Sequence, residues 1–287
     1  MRTARAPDRE PPGAAARREG RRLKHAGEPR LYYEVHGGDG PFLLLVHGLL
    51  SSRAQWLANL EALAACCRPV VVELLGHGRS PTPDDPACYT PASYVAGFER
   101  IRRLLGVERW LICGQSLGAA LTLRYALDHP QRVIGQVFTN SNSALAEDGW
   151  AERVRPAMEA QARRLEEEGR RLIDEHPLNP SRSRRLPADV RTAFLADSAL
   201  HTPRGIGYTG LYTVPDSSVR GRIGENAVAA LLVVGEREER FAPHRRFAER
   251  TMPHLEVLGL NAGHAVNIAA AEEFNAAVTA FVARCGS

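Results

Sequence analysis

Three separated segments of the chain hold residue types that together could move a proton and attack a carbonyl. In Gly114-Gln115-Ser116-Leu117-Gly118 a hydroxyl is fenced by glycine two residues away on either side. In Asn261-Ala262-Gly263-His264-Ala265 an imidazole follows a glycine. Between them in chain order, Gly235 to Phe241 offers Glu236, Glu238 and Glu239. A serine alcohol is a poor nucleophile alone; it needs a base to take its proton and an acid to orient that base. Ser116, His264 and one of the three glutamates supply those roles, and spacing alone leaves the choice of glutamate open.

The elements around these residues decide whether they can meet. Trp110 to Cys113 reads as a buried strand and Leu117 to Leu127 as a helix, so Ser116 lies on a tight strand-to-helix turn. Such a turn strains the central residue, and flanking glycines remove the side chains that would clash. The start of the helix then favours negative charge developing beside the hydroxyl. The five-residue pattern by itself is weak, and a small-residue packing turn is the competing reading; between a strand and a helix it becomes strong. The strands Ala229–Val234 and Leu255–Leu260 predict that the glutamates and His264 emerge at the C-terminal edge of the sheet, where ligands collect in open parallel sheets. A second amide donor is expected from His47-Gly48-Leu49-Leu50, after the strand Phe42–Val46. There the Leu49 N–H can pair with that of Leu117 to hold an oxyanion. The His47 imidazole is expected to be structural, bonding its own loop.

The rest of the chain supplies the scaffold. Leu31–His36 and Phe42–Val46 read as strands joined by a glycine-rich turn through Pro41. Ser51 or Ser52 can cap a helix to about Ala65, and Pro69–Leu74 is a short β-rich run. Thr90 and Pro91 open a helix with Val95, Phe98, Ile101 and Leu105 on one face, stopped by Gly106. Val133–Thr139 is another strand, and helices are expected near 243–250 and over Ala271–Ala283. Strands alternating with helices predict an α/β fold: a mostly parallel, doubly wound sheet covered on both faces. Residues 143–222 break this rhythm and read as an inserted helical cap that shapes specificity, dividing the core into 31–142 and 223–287.

Composition narrows the function classes. The 287 residues are 44% hydrophobic and 24% charged, enough for one large domain with an insertion. The formal charge of +4 is misleading, because residues 1–30 hold eight arginines and one lysine against four acids. That segment carries more than the whole excess and is expected to be a disordered basic tail; residues 31–287 come out near −1. No basic face for nucleic acid is therefore expected on the folded part, and no apolar run reaches a membrane span. The start lacks the apolar run of a secretory signal, and five cysteines in no paired spacing suggest neither a disulfide framework nor a metal site. A cytoplasmic protein with no metal and no cofactor is the expectation. Gly76-His77-Gly78-Arg79 lacks the third glycine of a dinucleotide loop. Arg163, Arg164, Arg170, Arg171, Arg184 and Arg185 interleave with acids at helical spacing, which reads as a solvated face. Cys113 reads as a small buried hydrophobe; Trp56, Trp150, Phe138 and Tyr212 read as core residues that could also line a pocket.

Residues from about 30 to 283 resemble the α/β-hydrolase superfamily, in the branch with a helical cap after the family's strand six. The likeness rests on His47-Gly48, on Glu73 to Ser80, on Gly114 to Gly118, on Gly235 to Glu238 and on Gly263-His264, in the order nucleophile, acid, histidine. The family places its acid three residues after the strand-seven glycine, usually as aspartate, which implies Glu238. Glu73 stands where the family usually has a structural aspartate. The segments 47–52 and 235–241 are similar to the menaquinone-pathway synthase that eliminates pyruvate, but that enzyme's arginine one turn after the nucleophile is Ala120 here. The general layout also resembles enol-lactonases and carbon–carbon bond hydrolases, whereas dehalogenases and epoxide hydrolases need an aspartate nucleophile. The resemblance implies a serine hydrolase of small ester, lactone or related carbonyl substrates, with C–C cleavage or elimination by the same triad as the alternative. A ligand receptor on the same scaffold is a third reading.

Overall fold

The computed structural model describes residues 30–183 and 186–285. The basic tail expected over residues 1–30 falls outside them except for Arg30, as do Arg184 and Arg185. Seven strands form one sheet: β1 (Tyr32–Val35), β2 (Phe42–Val46), β3 (Arg68–Glu73), β4 (Trp110–Gly114), β5 (Val133–Thr139), β6 (Ala230–Gly235) and β7 (Leu255–Leu260). Their spatial order is β1-β3-β2-β4-β5-β6-β7. β1 runs antiparallel to β3, and every other pairing is parallel.

Side chains alternate across this sheet as the two-residue period of a strand requires. Leu44, Val46, Val70, Val72 and Ile112 face one layer; Leu43, Leu45, Val71, Leu111 and Cys113 face the other. The first face is covered by α2 (Pro91–Leu104) and α3 (Leu117–Asp128), through Tyr94, Phe98, Ile101, Leu121 and Tyr125. The second is covered by α1 (Leu57–Ala64) and α10 (Ala271–Cys285), through Leu63, Phe274, Val278 and Phe281. Both faces are dry, which is why these strands are runs of Leu, Ile and Val rather than alternating apolar and polar. Trp56 and Phe138 are fully buried core residues. Helix α8 (Ala242–Thr251) and the short α9 (Val266–Ala269) complete the outer layer.

Local signals explain the boundaries. Thr90 caps α2 by accepting from Ser93 N, with Pro91 in the first turn. Ser52 accepts from Ala54 N, so of the two candidate caps it is the one used, and the first turn it opens (Arg53–Trp56) is 3₁₀ rather than α.

Between β5 and β6 the chain is helical, with no strand among its described residues: α4 (Trp150–Glu168), α5 (Arg170–Glu175), α6 (Ala188–Ser198) and α7 (Pro203–Tyr208), then a π-helical turn Thr209–Thr213. The charged helical run is cut between α4 and α5 at Gly169, whose φ of 66° only glycine adopts cheaply. The outer face of these helices is charged and internally paired. Arg164 and Arg171 both bind Glu168, at 2.7 and 2.6 Å, and Arg170 binds Asp174 at 3.2 Å. Inward, Leu165, Ile173 and Ile206 pack on Leu50. Gly76 and Gly205 touch backbone to backbone; a Cβ on either would lie 2.3 Å from the other's Cα.

All five cysteines are free thiols, and Cys113 is fully buried, which pushes its thiol up. No helix among the described residues is long and apolar enough to cross a membrane.

Candidate active site

Ser116 sits between β4 and α3 with φ 54° and ψ −118°, a strained conformation for a residue with a side chain. The elbow holds it there by crowding out alternatives. A Cβ on Gly114 would lie 2.4 Å from Gly118 O, and one on Gly118 would lie 2.1 Å from Val46 O. The turn therefore closes only where both residues lack side chains.

The three glutamates differ in their surroundings. Glu238 Oε2 lies 2.8 Å from His264 Nδ1. Glu236 instead folds over Gly259 and pairs with Arg245 at 3.3 Å, while Glu239 is exposed. Two asparagines at the end of β5 hold the Glu238 carboxylate: Asn140 Nδ2 donates to Oε2 at 2.9 Å and Asn142 Nδ2 to Oε1 at 3.0 Å. Asn140 also receives Gly235 N and donates to Gly235 O, so it fixes the turn from which Glu238 projects. Burial alone would push this carboxyl up, but the hydrogen bonds from His264 and the two asparagines outweigh it and hold the group below its ordinary range. Neither asparagine stands out in the sequence; their one signal is a polar run, Thr139-Asn140-Ser141-Asn142, at the C-terminal end of a buried strand.

His264 is tied beside the elbow through its backbone, since Gln115 Nε2 donates to His264 O at 3.3 Å. Its loop packs on the β6 turn, with Arg237 N donating to Ala262 O at 2.9 Å. The ring itself is 43% exposed. Among the described residues the Ser116 hydroxyl has no hydrogen-bond partner, so the contact from Ser116 to His264 is open while that from His264 to Glu238 is made.

The loop after β2 comes up against Ser116: a Cβ at Gly48 would fall 2.9 Å from Ser116 Cβ. Among the described residues nothing accepts from the N–H of Leu49 or of Leu117. His47 bonds its own loop, Nδ1 to Gly48 O at 2.7 Å, and receives Leu74 N on Nε2 at 3.0 Å. Ala120 is buried in the apolar layer beneath α3 and itself carries no charge. Glu73 is fully buried and accepts from Arg79 N and Nη1; Gly78, φ 51°, leaves the room its carboxylate occupies. An alcohol beside an acid-backed imidazole and two unengaged amides can support nucleophilic attack on a carbonyl.

Known proteins agree with this architecture. A family model described as alpha/beta hydrolase fold matches residues 41–267, and the chain belongs to that family. An uncharacterized protein of Mycobacterium tuberculosis is 33% identical over 122 residues, which cover 39% of this chain and 35% of the relative. The chain thus matches about a third of that relative's length. Among solved structures, MenH from S. aureus aligns with a TM-score of 0.78 at 18% identity, covering 89% of this chain and 99% of that one. The enol-lactonase from Burkholderia xenovorans aligns with a TM-score of 0.73 at 21% identity, covering 88% and 96%. At such identities the likeness is one of fold.

Proposed function

We propose that this chain is a cofactor-independent serine hydrolase of small esters, lactones or related carbonyl compounds. The observation that carries the reading is the 2.8 Å contact between Glu238 and His264 Nδ1. An ionised Glu238 there can only accept, so Nδ1 would carry the ring proton and the Nε2 lone pair would act as base.

In the proposed reaction Ser116 Oγ bonds to the substrate carbonyl carbon and its proton passes to His264 Nε2. The carbonyl oxygen becomes an oxyanion between the Leu49 and Leu117 amides. Collapse breaks the bond to the leaving oxygen, which takes the proton from His264, and an acyl-Ser116 remains. Water then repeats the sequence, giving its proton to His264 and releasing the acid. Glu238 stays ionised and stabilises the imidazolium. The open Ser116–His264 contact is compatible with this, because such bonds in unliganded enzymes often tighten only around substrate.

The alternative reading, elimination from a carboxylated substrate, calls for a cation one turn after the serine. The buried Ala120 offers none, which favours neutral carbonyl substrates. The test is covalent labelling with a fluorophosphonate and mapping of the adduct. Label on Ser116, with p-nitrophenyl acetate turnover lost in Ser116→Ala, supports the reading; label elsewhere or full turnover in the variant refutes it.

A further inference from the structure

Three buried histidines outside the reaction scheme stand in a row beside the proposed oxyanion site. The His47 and His77 rings are 5.3 Å apart and the His77 and His201 rings 5.2 Å apart. Each uses one ring nitrogen on the loop that carries Leu49 and the other on the loop after β3. His47 bonds Gly48 O and Leu74 N. His77 receives Leu50 N at 3.0 Å and bonds Leu75 O at 2.9 Å. His201 receives Gly78 N at 2.9 Å and reaches Leu50 O at 3.4 Å. Since N–H groups can only donate and carbonyls only accept, each ring is one donor and one acceptor and therefore neutral. His47 and His77 belong to the sheet loops. His201 comes from the helical insertion, just past α6.

The loop needs such pins. Leu50 has φ 59°, a conformation costly for leucine that persists only where the surroundings over-determine it. His77 holds its N–H and His201 its carbonyl. One peptide earlier, Gly48 O is held by His47 Nδ1 and by Ser51 N. In a trans peptide the N–H points opposite to the C=O, so this fixes the direction of the Leu49 N–H. Asp197, one turn before His201 and fully buried, spans the same two loops: it receives Ser52 Oγ and Arg79 Nη2, each at 2.9 Å.

We infer that His201 is a positioning residue for the Leu49 amide: by holding the Leu50 carbonyl it makes the seating of the helical insertion a condition for an ordered oxyanion site. This rests on the Leu49 role proposed above.

The test uses the full chain with p-nitrophenyl acetate turnover and inhibition by phenylboronic acid, whose serine adduct is tetrahedral and places a hydroxyl in the oxyanion site. His201→Gln keeps a donor at the reach of Nε2; His201→Asn has one only at the reach of Nδ1. The expected result is that His201→Asn loses about tenfold or more in kcat, in line with a mispositioned oxyanion donor. Its KM stays within about threefold, and its boronate Ki rises in parallel with the kcat loss. His201→Gln restores most of both. Equal behaviour of the two variants, the reverse order, or a kcat loss with unchanged boronate Ki overturns the inference. Wild-type protein without Ser116-dependent turnover sinks the hydrolase reading itself, and this inference with it; normal wild-type turnover with an indifferent His201 sinks the inference alone.

Discussion

Replacing His201 by glutamine should flatten the acid dependence of folding stability by about 2 kcal/mol. Burial, reinforced by the neighbouring His47 and Arg170, pushes the His201 ring from 6.5 down to about 3. The folded protein therefore refuses a proton that the unfolded chain takes up, and stability falls as pH drops from 6.5 toward 3. At pH 5, about 1.5 pH units below the unfolded value, the loss at about 1.36 kcal/mol per unit is about 2 kcal/mol. His47 and His77 are likewise held at about 3, and together the three losses rival a typical total stability of about 5–15 kcal/mol. Glu73 works in the opposite direction, since burial pushes its carboxyl up to about 7 against the Arg79 hydrogen bond and charge, so the folded state gains a proton there as the medium acidifies. The variant leaves that group in place, so the difference between the proteins isolates one imidazole. Urea unfolding at pH 7, 6 and 5, followed by circular dichroism with a constant m-value, should show wild type losing about 2 kcal/mol more than His201→Gln between pH 7 and 5. Identical pH dependence in the two proteins would mean that the ring is not neutral in the fold, and the reasoning fails.

Other perturbations test other links. Glu238→Gln keeps the shape but loses the charge opposite the imidazolium, and kcat on a p-nitrophenyl ester should fall about 10²- to 10⁴-fold with Tm little changed. Asn140→Ala strands the buried Gly235 amide and half of the Glu238 carboxylate; we expect about 1–3 kcal/mol of destabilisation by urea titration and a kcat loss that Asn140→Asp does not repair. Gly118→Ala drives a Cβ into Val46 O and should cost about 3 kcal/mol, with fluorophosphonate labelling of the surviving folded fraction slowed. Phe281→Ala opens the layer under α10 far from the site, so it should cost about 3–5 kcal/mol in thermal or urea unfolding while kcat per folded molecule is unchanged.

What the sequence reveals follows how local the signal is. β2, β5 and β7 are legible to the residue: β2 is a continuous apolar run, and β5 and β7 are mostly apolar runs, interrupted only by Gly135 and Gln136 and by Glu256 and Gly259, with polar residues at their ends. The elbow is legible because its glycines flank one serine on a single strand-to-helix turn, although the contact that demands Gly118 comes from Val46 on the neighbouring strand β2. The acid is only partly legible: three glutamates share one turn, and their roles separate through Gly259, Arg245 and His264, none of which the local pattern contains. Asn140 and Asn142 are silent because an asparagine at a strand end is ordinary until its partner is known. His201 and Asp197 are silent for the same reason, lying some 120 residues or more from the loops they grip. The break at Gly169 has a single glycine as its local signal, set between runs of charged helix formers on either side.

The guanidinium of Arg79 lies between Glu73 and Asp197, one carboxylate from the sheet and one from α6. This makes transplanting the helical insertion between relatives harder than its single point of entry after β5 suggests. A donor segment without an acid in that spot would leave a cation half enclosed with one counterion missing, and the penalty would surface as poor folding of the chimera long before any change in substrate preference could be read. Grafts that carry Asp197 and its neighbours along should tolerate far bolder exchanges elsewhere.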